Sequence, residues 1–327
     1  MQHWLLVRGR GERRLDASVA PDELSAHSST RAPRIGAGDR ALLYAAGWQV
    51  VFAVADVVSD PVEDPGRTRW RWRFGIRPEL ALVDLREAPP VQAAGVLTSS
   101  VGRHSYIRVT PEQFAAGRRA VAAALVAAGY DDAAERFVAW QRGVVGSSRE
   151  RRVARLIEAL PLEADVLELG VGAGSDTSVA LARRTRLTGV DVSAAMLAHA
   201  RARLPGARLL QSDLLELDAP DGSYDAVVAL YALNHVLRDE LGPLFARVAR
   251  WLRPGGVFLA TLGARDEPGW LGEWLGSPTF FSGHAPPVNE QLVVDAGLEL
   301  VESEVETVPE PGHGDVSFHW VLARRPD

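Results

Sequence analysis

Cysteine is absent from all 327 residues, which excludes disulfides, thiolate metal sites and cysteine nucleophiles together. Lysine is absent too, and all 36 basic residues are arginine, a compositional bias of the source rather than a sign of phosphate recognition. No stretch reaches the roughly 18 apolar residues of a membrane span. The opening Met1-Gln-His-Trp-Leu-Leu-Val-Arg-Gly9 has neither a cationic start nor a small-residue cleavage site. The expectation is a cytoplasmic protein, monomer or homodimer, with no membrane partner and no metal. Charge is unevenly placed: residues 1–112 carry 15 Arg against 13 acids, while 113–327 carry 21 against 29. A second half with a net charge of −8 is a poor electrostatic match for a polyanion.

The length suggests two domains, since single cores stop growing near roughly 250–300 residues. Before residue 112 the pattern is strand-rich, with runs His3–Val7, Arg40–Ala46, Val50–Val58 and Thr68–Leu85 separated by Gly, Asp and Pro. Trp70-Arg-Trp-Arg-Phe-Gly-Ile76 alternates, placing Trp70, Trp72, Phe74 and Ile76 on one face. Short strands at this spacing predict a small barrel. Thr110-Pro-Glu-Gln then starts a helix, with Thr110 as N-cap and Pro111 in its first turn. The alanine-rich run is predicted to stop at Gly129, so 113–129 reads as a helix joining the two domains.

The runs Ile35–Tyr44, Val50–Val58 and Ser100–Glu112 make residues 1–112 similar to the EVE branch of the PUA-like barrels. That resemblance implies a pocket for a flat heterocycle, often a modified base, between aromatic walls. Trp48, Tyr44, His104 and Tyr106 are the candidates, with Trp70 and Trp72; core packing is the other reading of each ring. Trp48, in a turn, is expected to be the most exposed.

The second half turns on Val166-Leu-Glu-Leu-Gly-Val-Gly-Ala-Gly174. A buried strand that breaks into glycines at alternate positions before a helix lets backbone lie against a bound cofactor. A nicotinamide fingerprint wants G-x-G-x-x-G; here the spacing is G-x-G-x-G, with Glu168 two residues ahead of Gly170. This form resembles the first motif of the class I S-adenosylmethionine-dependent methyltransferases. Leu187–Ser193 resembles the second strand of that family, and its Asp191 lies 19 residues after Gly172, where an acid meets ribose hydroxyls. Gln211-Ser-Asp213, Tyr224–Tyr231 and Trp251–Ala260 resemble the later motifs in order.

The implied fold for 130–327 is an α/β, Rossmann-like sheet of seven strands, ending in an antiparallel hairpin from 298–308 and 316–323, preceded by the small PUA-like barrel. The implied activity is S-adenosylmethionine-dependent methyl transfer. The implied cofactor contacts are Glu168, Gly170, Gly172, Gly174, Asp191, Val192, Asp213, Leu214 and Leu230, with Tyr130 in a segment similar to the cap over the donor. The absence of thiols sets aside the arsenic-methylating members.

The fourth strand ends Ala229-Leu-Tyr-Ala-Leu-Asn-His-Val236 and has no proline. Enzymes that methylate exocyclic base nitrogens usually carry prolines and an acid or amide there, so this chain looks like the small-molecule members. Tyr231, His235 and His284 are the candidate catalytic side chains. His235 is also readable as a histidine that only orders the following turn, and His284 as a turn residue. Trp140, Asn234, Trp270, Trp274 and Phe281 are candidate acceptor-pocket residues, the last three in a Gly- and Pro-rich run, 268–284, read as an ordered lid. A small-molecule acceptor leads. Nucleic acid read by the barrel, and a binding protein that only senses the donor, stay open.

Overall fold

The computed structural model describes residues 1–9, 14–102, 104–144, 148–312 and 314–327; Arg103, within the Ser100–Glu112 run, lies outside them. The chain divides into two compact units, Met1–Leu125 and Val126–Asp327.

In the first unit the strands are β1 (His3–Arg8), β2 (Ala26–Ser29), β3 (Arg40–Ala45), β4 (Val50–Val57), β5 (Val62–Glu63), β6 (Trp72–Ala81) and β7 (Tyr106–Val109), with a one-turn helix α1 (Thr98–Val101) before β7. They form one sheet in the order β2-β6-β4-β3-β1-β7, with β5 on β6. The path ends at β2 and β7, so the sheet is open where a closed barrel was expected. Leu5, Leu42, Phe52 and Leu80 are fully buried, and apolar burial on the sheet's inner face is what holds this unit together. The alternation of the tryptophan run holds only from Trp72: Phe74 and Ile76 are buried while Arg73 and Arg77 face solvent. Trp70 precedes the strand with φ of 58°, a left-handed conformation that strand pairing does not accommodate.

Helix α2 spans Pro111–Gln141. Its start is a reciprocal cap, as the sequence predicts: Gln113 N–H donates to Thr110 Oγ1 at 3.2 Å, and Thr110 N–H to Gln113 Oε1 at 3.1 Å. Its end is not at Gly129. A Cβ there would lie 2.5 Å from the Pro278 carbonyl oxygen, so Gly129 serves a close backbone approach inside the helix rather than a stop.

The second unit continues with α3 (Arg149–Ala159), β8 (Asp165–Leu169), α4 (Asp176–Ala182), β9 (Arg186–Asp191), α5 (Ala194–Arg203), β10 (Arg208–Gln211), β11 (Tyr224–Ala229), α6 (Leu241–Trp251), β12 (Leu252–Gly263), β13 (Glu267–Trp274), β14 (Ser277–Gly283), α7 (Pro286–Asp295), β15 (Glu299–Glu310) and β16 (Gly314–Arg324). Its main sheet is seven-stranded, in the order β10-β9-β8-β11-β12-β16-β15. The strands from β10 to β12 are parallel, while β16 and β15 are antiparallel. This is the Rossmann-like order, with the terminal hairpin closing one edge.

Alternate residues feed two cores. Leu167, Val227 and Phe258 meet α6 through Leu244, Phe245 and Val248. Val166, Val228 and Leu259 meet α3, α4 and α5 through Val153, Leu156, Leu181 and Leu197. Burial on both faces explains why these strands read as continuous apolar runs. Because the chain runs from β8 to β9 and β10 on one side and then crosses to β11, the strand order reverses between β8 and β11. An open α/β sheet holds its ligand at that point, beyond the strands' carboxyl ends. Among the described residues no helix is long and apolar enough to cross a membrane.

Candidate active site

The crevice at the reversal is floored by the glycine turn. Gly170, Gly172 and Gly174 have φ of 74°, 55° and 76°, left-handed values that disfavour any side chain. They are not equivalent. A Cβ on Gly170 would sit 2.3 Å from that of Ala232, whereas the nearest atom to one on Gly172 is Phe137 Cε1 at 4.0 Å. Only Gly172 faces open space, so access explains that glycine and packing explains Gly170.

Two acids flank the turn, Glu168 buried and Asp191 half-buried. Asp191, at the end of β9, accepts Gly172 N–H at 2.8 Å through Oδ2 and Ser193 N–H at 2.9 Å through Oδ1. Burial raises its carboxyl to about 6 despite these bonds. Glu168 accepts the Ser178 hydroxyl at 2.7 Å through Oε1, and its Oε2 is buried with no partner; burial raises it to about 7. An unsatisfied buried carboxylate oxygen costs free energy unless a ligand completes it. Leu214 is buried, and Asp213 accepts Leu215 N–H at 3.1 Å. Gln211 donates to the Val192 carbonyl at 3.3 Å. These residues lie at or just beyond the ends of β8, β9 and β10.

The last turns of α2 roof it. Tyr130 Oη lies 2.7 Å from His235 Nε2, and His235 Nδ1 lies 2.8 Å from the Phe280 carbonyl oxygen. A carbonyl only accepts, so Nδ1 carries the proton, Nε2 offers its lone pair, and the tyrosine hydroxyl donates. Burial lowers His235 to about 4 and pushes the Tyr130 phenol up, so both stay neutral at pH 7. Asp131 accepts the Ser193 hydroxyl at 2.5 Å and Ala195 N–H at 2.9 Å, adding a carboxylate to the N-terminus of α5. Asp132 and Arg136 hold the β13–β14 hairpin through Ser277 Oγ, and Arg136 Nε also donates to the Leu275 carbonyl at 2.6 Å. Three consecutive residues thus bind three different rims. Asp131 and Arg136 read in the sequence only as surface charges on a helix, and the Phe280 carbonyl leaves no sequence signal at all.

The hairpin is the observed form of the 268–284 run. Its aromatics join those of the roof: Trp270 stacks on Phe281 at 4.9 Å, Phe281 meets His235 at 4.8 Å, and Trp274 meets Trp140 at 5.0 Å. Trp140 in turn contacts Phe137, and Phe137 contacts Tyr130, each at 5.8 Å between centroids. Trp270 remains 45% exposed, marking where this aromatic series reaches solvent. Tyr231 follows β11 with φ of 59°, a strained value for a non-glycine. Its N–H donates to Thr261 Oγ1 at 2.5 Å, and its ring rests edge-on against Phe318 at 4.7 Å. Asn234 Oδ1 is buried without a partner. His284 stands apart from this group: its Nε2 lies 3.2 Å from the Arg238 carbonyl oxygen, and a nitrogen donating there has no lone pair to offer an acceptor.

In the first unit Tyr44 is 4% exposed within β3, a core residue rather than a pocket wall. Trp48 is half-buried in the turn before β4, its Nε1–H donating to the Leu15 carbonyl at 2.9 Å. His104 is exposed, and Tyr106 rests edge-on against Trp4 at 5.8 Å.

A methyltransferase-domain family model matches residues 166–256, the stretch from the glycine turn to the start of β12. A phosphatidylethanolamine N-methyltransferase of Cereibacter sphaeroides is 33% identical over 180 residues, covering 52% of this chain and 85% of the relative. A probable S-adenosylmethionine-dependent methyltransferase of Mycolicibacterium smegmatis is 39% identical over 97 residues, 30% of this chain and 37% of the relative. A trans-aconitate 2-methyltransferase of Acidovorax ebreus is 38% identical over 115 residues, 34% of this chain and 43% of the relative. The chain therefore spans less than half the length of two of these relatives and most of the third. The unpartnered Glu168 oxygen, the open space at Gly172 and the acid at the end of β9 fit an adenosyl donor with a charged tail. With strand order, glycine turn and relatives in agreement, the chain belongs to the S-adenosylmethionine-dependent methyltransferases.

Proposed function

We propose that residues 126–327 methylate an oxygen or nitrogen of a small molecule. Asp191 and Asp213 would hold the nucleoside, with Val192, Leu214 and Leu230 around it, Glu168 and the glycines beneath and Tyr130 above. A bound donor supplies a methyl group on a positively charged sulfur, already activated for in-line displacement. What remains for the protein is to place the acceptor, exclude water and take up a proton where the acceptor carries one.

The observation that carries this reading is the roof. The Tyr130–His235 bond and the hairpin enclose an aromatic acceptor side, with Trp140, Trp270, Trp274 and Phe281 as apolar walls and the Asn234 oxygen as a polar point. An acceptor proton passing to Tyr130 Oη, as the phenol's own proton passes to His235 Nε2, leaves an imidazolium held by the Phe280 carbonyl. Such a relay contributes about 10²–10⁴ in rate where deprotonation limits. Tyr231 would line the same cleft.

For the first unit we propose an accessory recognition role like that of the EVE branch, using Trp48, His104 and Tyr106. A nucleic-acid acceptor is disfavoured by the −8 charge of 113–327 and by the proline-free end of β11. By name, two of the relatives act on phosphatidylethanolamine and trans-aconitate, neither a nucleic acid. Incubating the full chain with methyl-labelled donor and a bacterial extract, then separating small molecules from RNA and DNA, tests the proposal. Label in the small-molecule fraction supports it, and label confined to nucleic acid overturns it.

A further inference from the structure

We propose that Glu310 and the aromatic roof form a cation subsite, so that the acceptor is an organic ammonium compound held by its positive charge. The inference rests on the small-molecule reading above and narrows its substrate class.

Strand β15 carries Glu302, Glu304, Glu306, Val308 and Glu310 at alternate positions, hence on one face. That face meets the start of α3. Arg155 pairs with Glu302 at 2.9 Å, Arg152 pairs with Glu304, and Ser148 donates to Glu306 through its N–H at 3.0 Å and its hydroxyl at 2.8 Å. The last acid of the row is different. Glu310 is 9% exposed, and burial raises its carboxyl with no hydrogen bond or neighbouring charge to oppose the shift. Among the described residues nothing compensates it, and a desolvated carboxylate without a partner carries a free-energy cost that a bound cation offsets.

Its place in the sheet is on the acceptor side. At the carboxyl end of β12, Gly263 pairs with Phe318 of β16, whereas Glu310 pairs with Gly314, farther out along the same strand. Glu310 therefore lies past the carboxyl ends of the parallel strands, where the ligand crevice opens. Burial, then the charges of Asp191 and Glu310, raise the Tyr130 phenol, so the carboxylate stands within electrostatic reach of the roof. The Pro311 carbonyl, one residue on, accepts Trp140 Nε1–H at 3.0 Å. That bond ties the β15–β16 turn to the ring series Tyr130, Phe137, Trp140 and Trp274. A carboxylate beside aromatic rings favours an ammonium group over a neutral one, by charge-assisted hydrogen bonds and by attraction to the ring faces. The net charge of −8 over 113–327 favours approach of the same class. Glu310 is thus a binding residue, separate from the Tyr130–His235 pair that takes the acceptor's proton.

Calorimetric titration of the full chain, saturated with S-adenosylhomocysteine, with phenethylammonium and with 2-phenylethanol tests the subsite, because the two probes share a ring and arm and differ in charge. Phenethylammonium is expected to bind about 10- to 100-fold more tightly, the range for hydrogen bonds to a charged group. In Glu310→Gln that preference should fall to within about twofold, and Glu310→Asp should keep part of it. S-adenosylhomocysteine affinity within about twofold of the parent shows that each variant folds. Equal binding of the two probes by the parent, binding of neither, or a preference that survives Glu310→Gln would overturn the cation subsite. Failure of the small-molecule reading is a different result, label confined to nucleic acid.

Discussion

Single residues at the glycine turn carry separable duties. Gly170 meets two constraints, a left-handed φ and an Ala232 methyl 2.3 Å from where its own Cβ would be, while Gly172 meets only the first. Gly170→Ala is expected to destabilise by roughly 1–3 kcal/mol or more, strain and overlap together. Gly172→Ala should cost about 1–2 kcal/mol. Urea midpoints at constant slope would check the ranking, and equal values would contradict it. The alternating spacing was legible in the sequence, but which glycine needs room and which needs packing was not, because Ala232 lies 62 residues away.

Asp191 supplies a pH test. Its folded-state carboxyl, raised to about 6 from 3.8 by burial, holds a proton that the unfolded chain has released. The stability this gives the ligand-free protein is full below about 3.8 and is lost as pH rises through about 6. Ribose hydroxyls donate more strongly to the ionised form, so the rise in melting temperature conferred by S-adenosylhomocysteine should be larger at pH 7.5 than at pH 5. In Asp191→Ala, affinity should fall about tenfold or more, and the pH dependence of that rise should shrink. A rise of equal size at both pH values in the parent would count against the ribose role.

At the scale of elements, the strands of the main sheet were the most legible, since apolar runs feeding two faces announce themselves. The terminal hairpin and the cap of α2 at Thr110 also follow from local chemistry. What escaped was tertiary. A helical glycine costs about 1 kcal/mol relative to alanine, so Gly129 reads as a stop, yet α2 continues because Tyr130, Asp131 and Asp132 are all engaged beyond it. Gly129→Ala gains helix propensity but places a methyl 2.5 Å from the Pro278 carbonyl oxygen. The clash is expected to prevail, loosening the β13–β14 hairpin from α2. Hydrogen exchange at 267–283 should quicken relative to the main sheet, and unchanged protection would show that the hairpin is held by other contacts. The aromatic run of that hairpin reads as a lid, whereas its two paired strands are not read, because Gly and Pro mask the pairing. His284 looked equivalent to His235 in the sequence; only the fold turns one toward Tyr130 and the other to the Arg238 carbonyl.

For the whole molecule, charge in the sequence changes sign near residue 112, whereas the two compact units divide after Leu125. The first unit was less legible. Its strands were readable one by one, whereas their closure was not, and the sheet is open between β2 and β7. Tyr44, read as a pocket wall, lies in the core because β3 is central to that sheet and covered on both faces. Every role assigned in the second unit depends on where the donor lies. A crystal structure of the full chain with S-adenosylhomocysteine would test this most directly. It should show the ribose on Asp191, the amino-acid arm beside Glu168, and the thioether sulfur beneath Tyr130 and His235. A ligand bound elsewhere, with the crevice between β8 and β11 filled by the protein's own side chains, would contradict it.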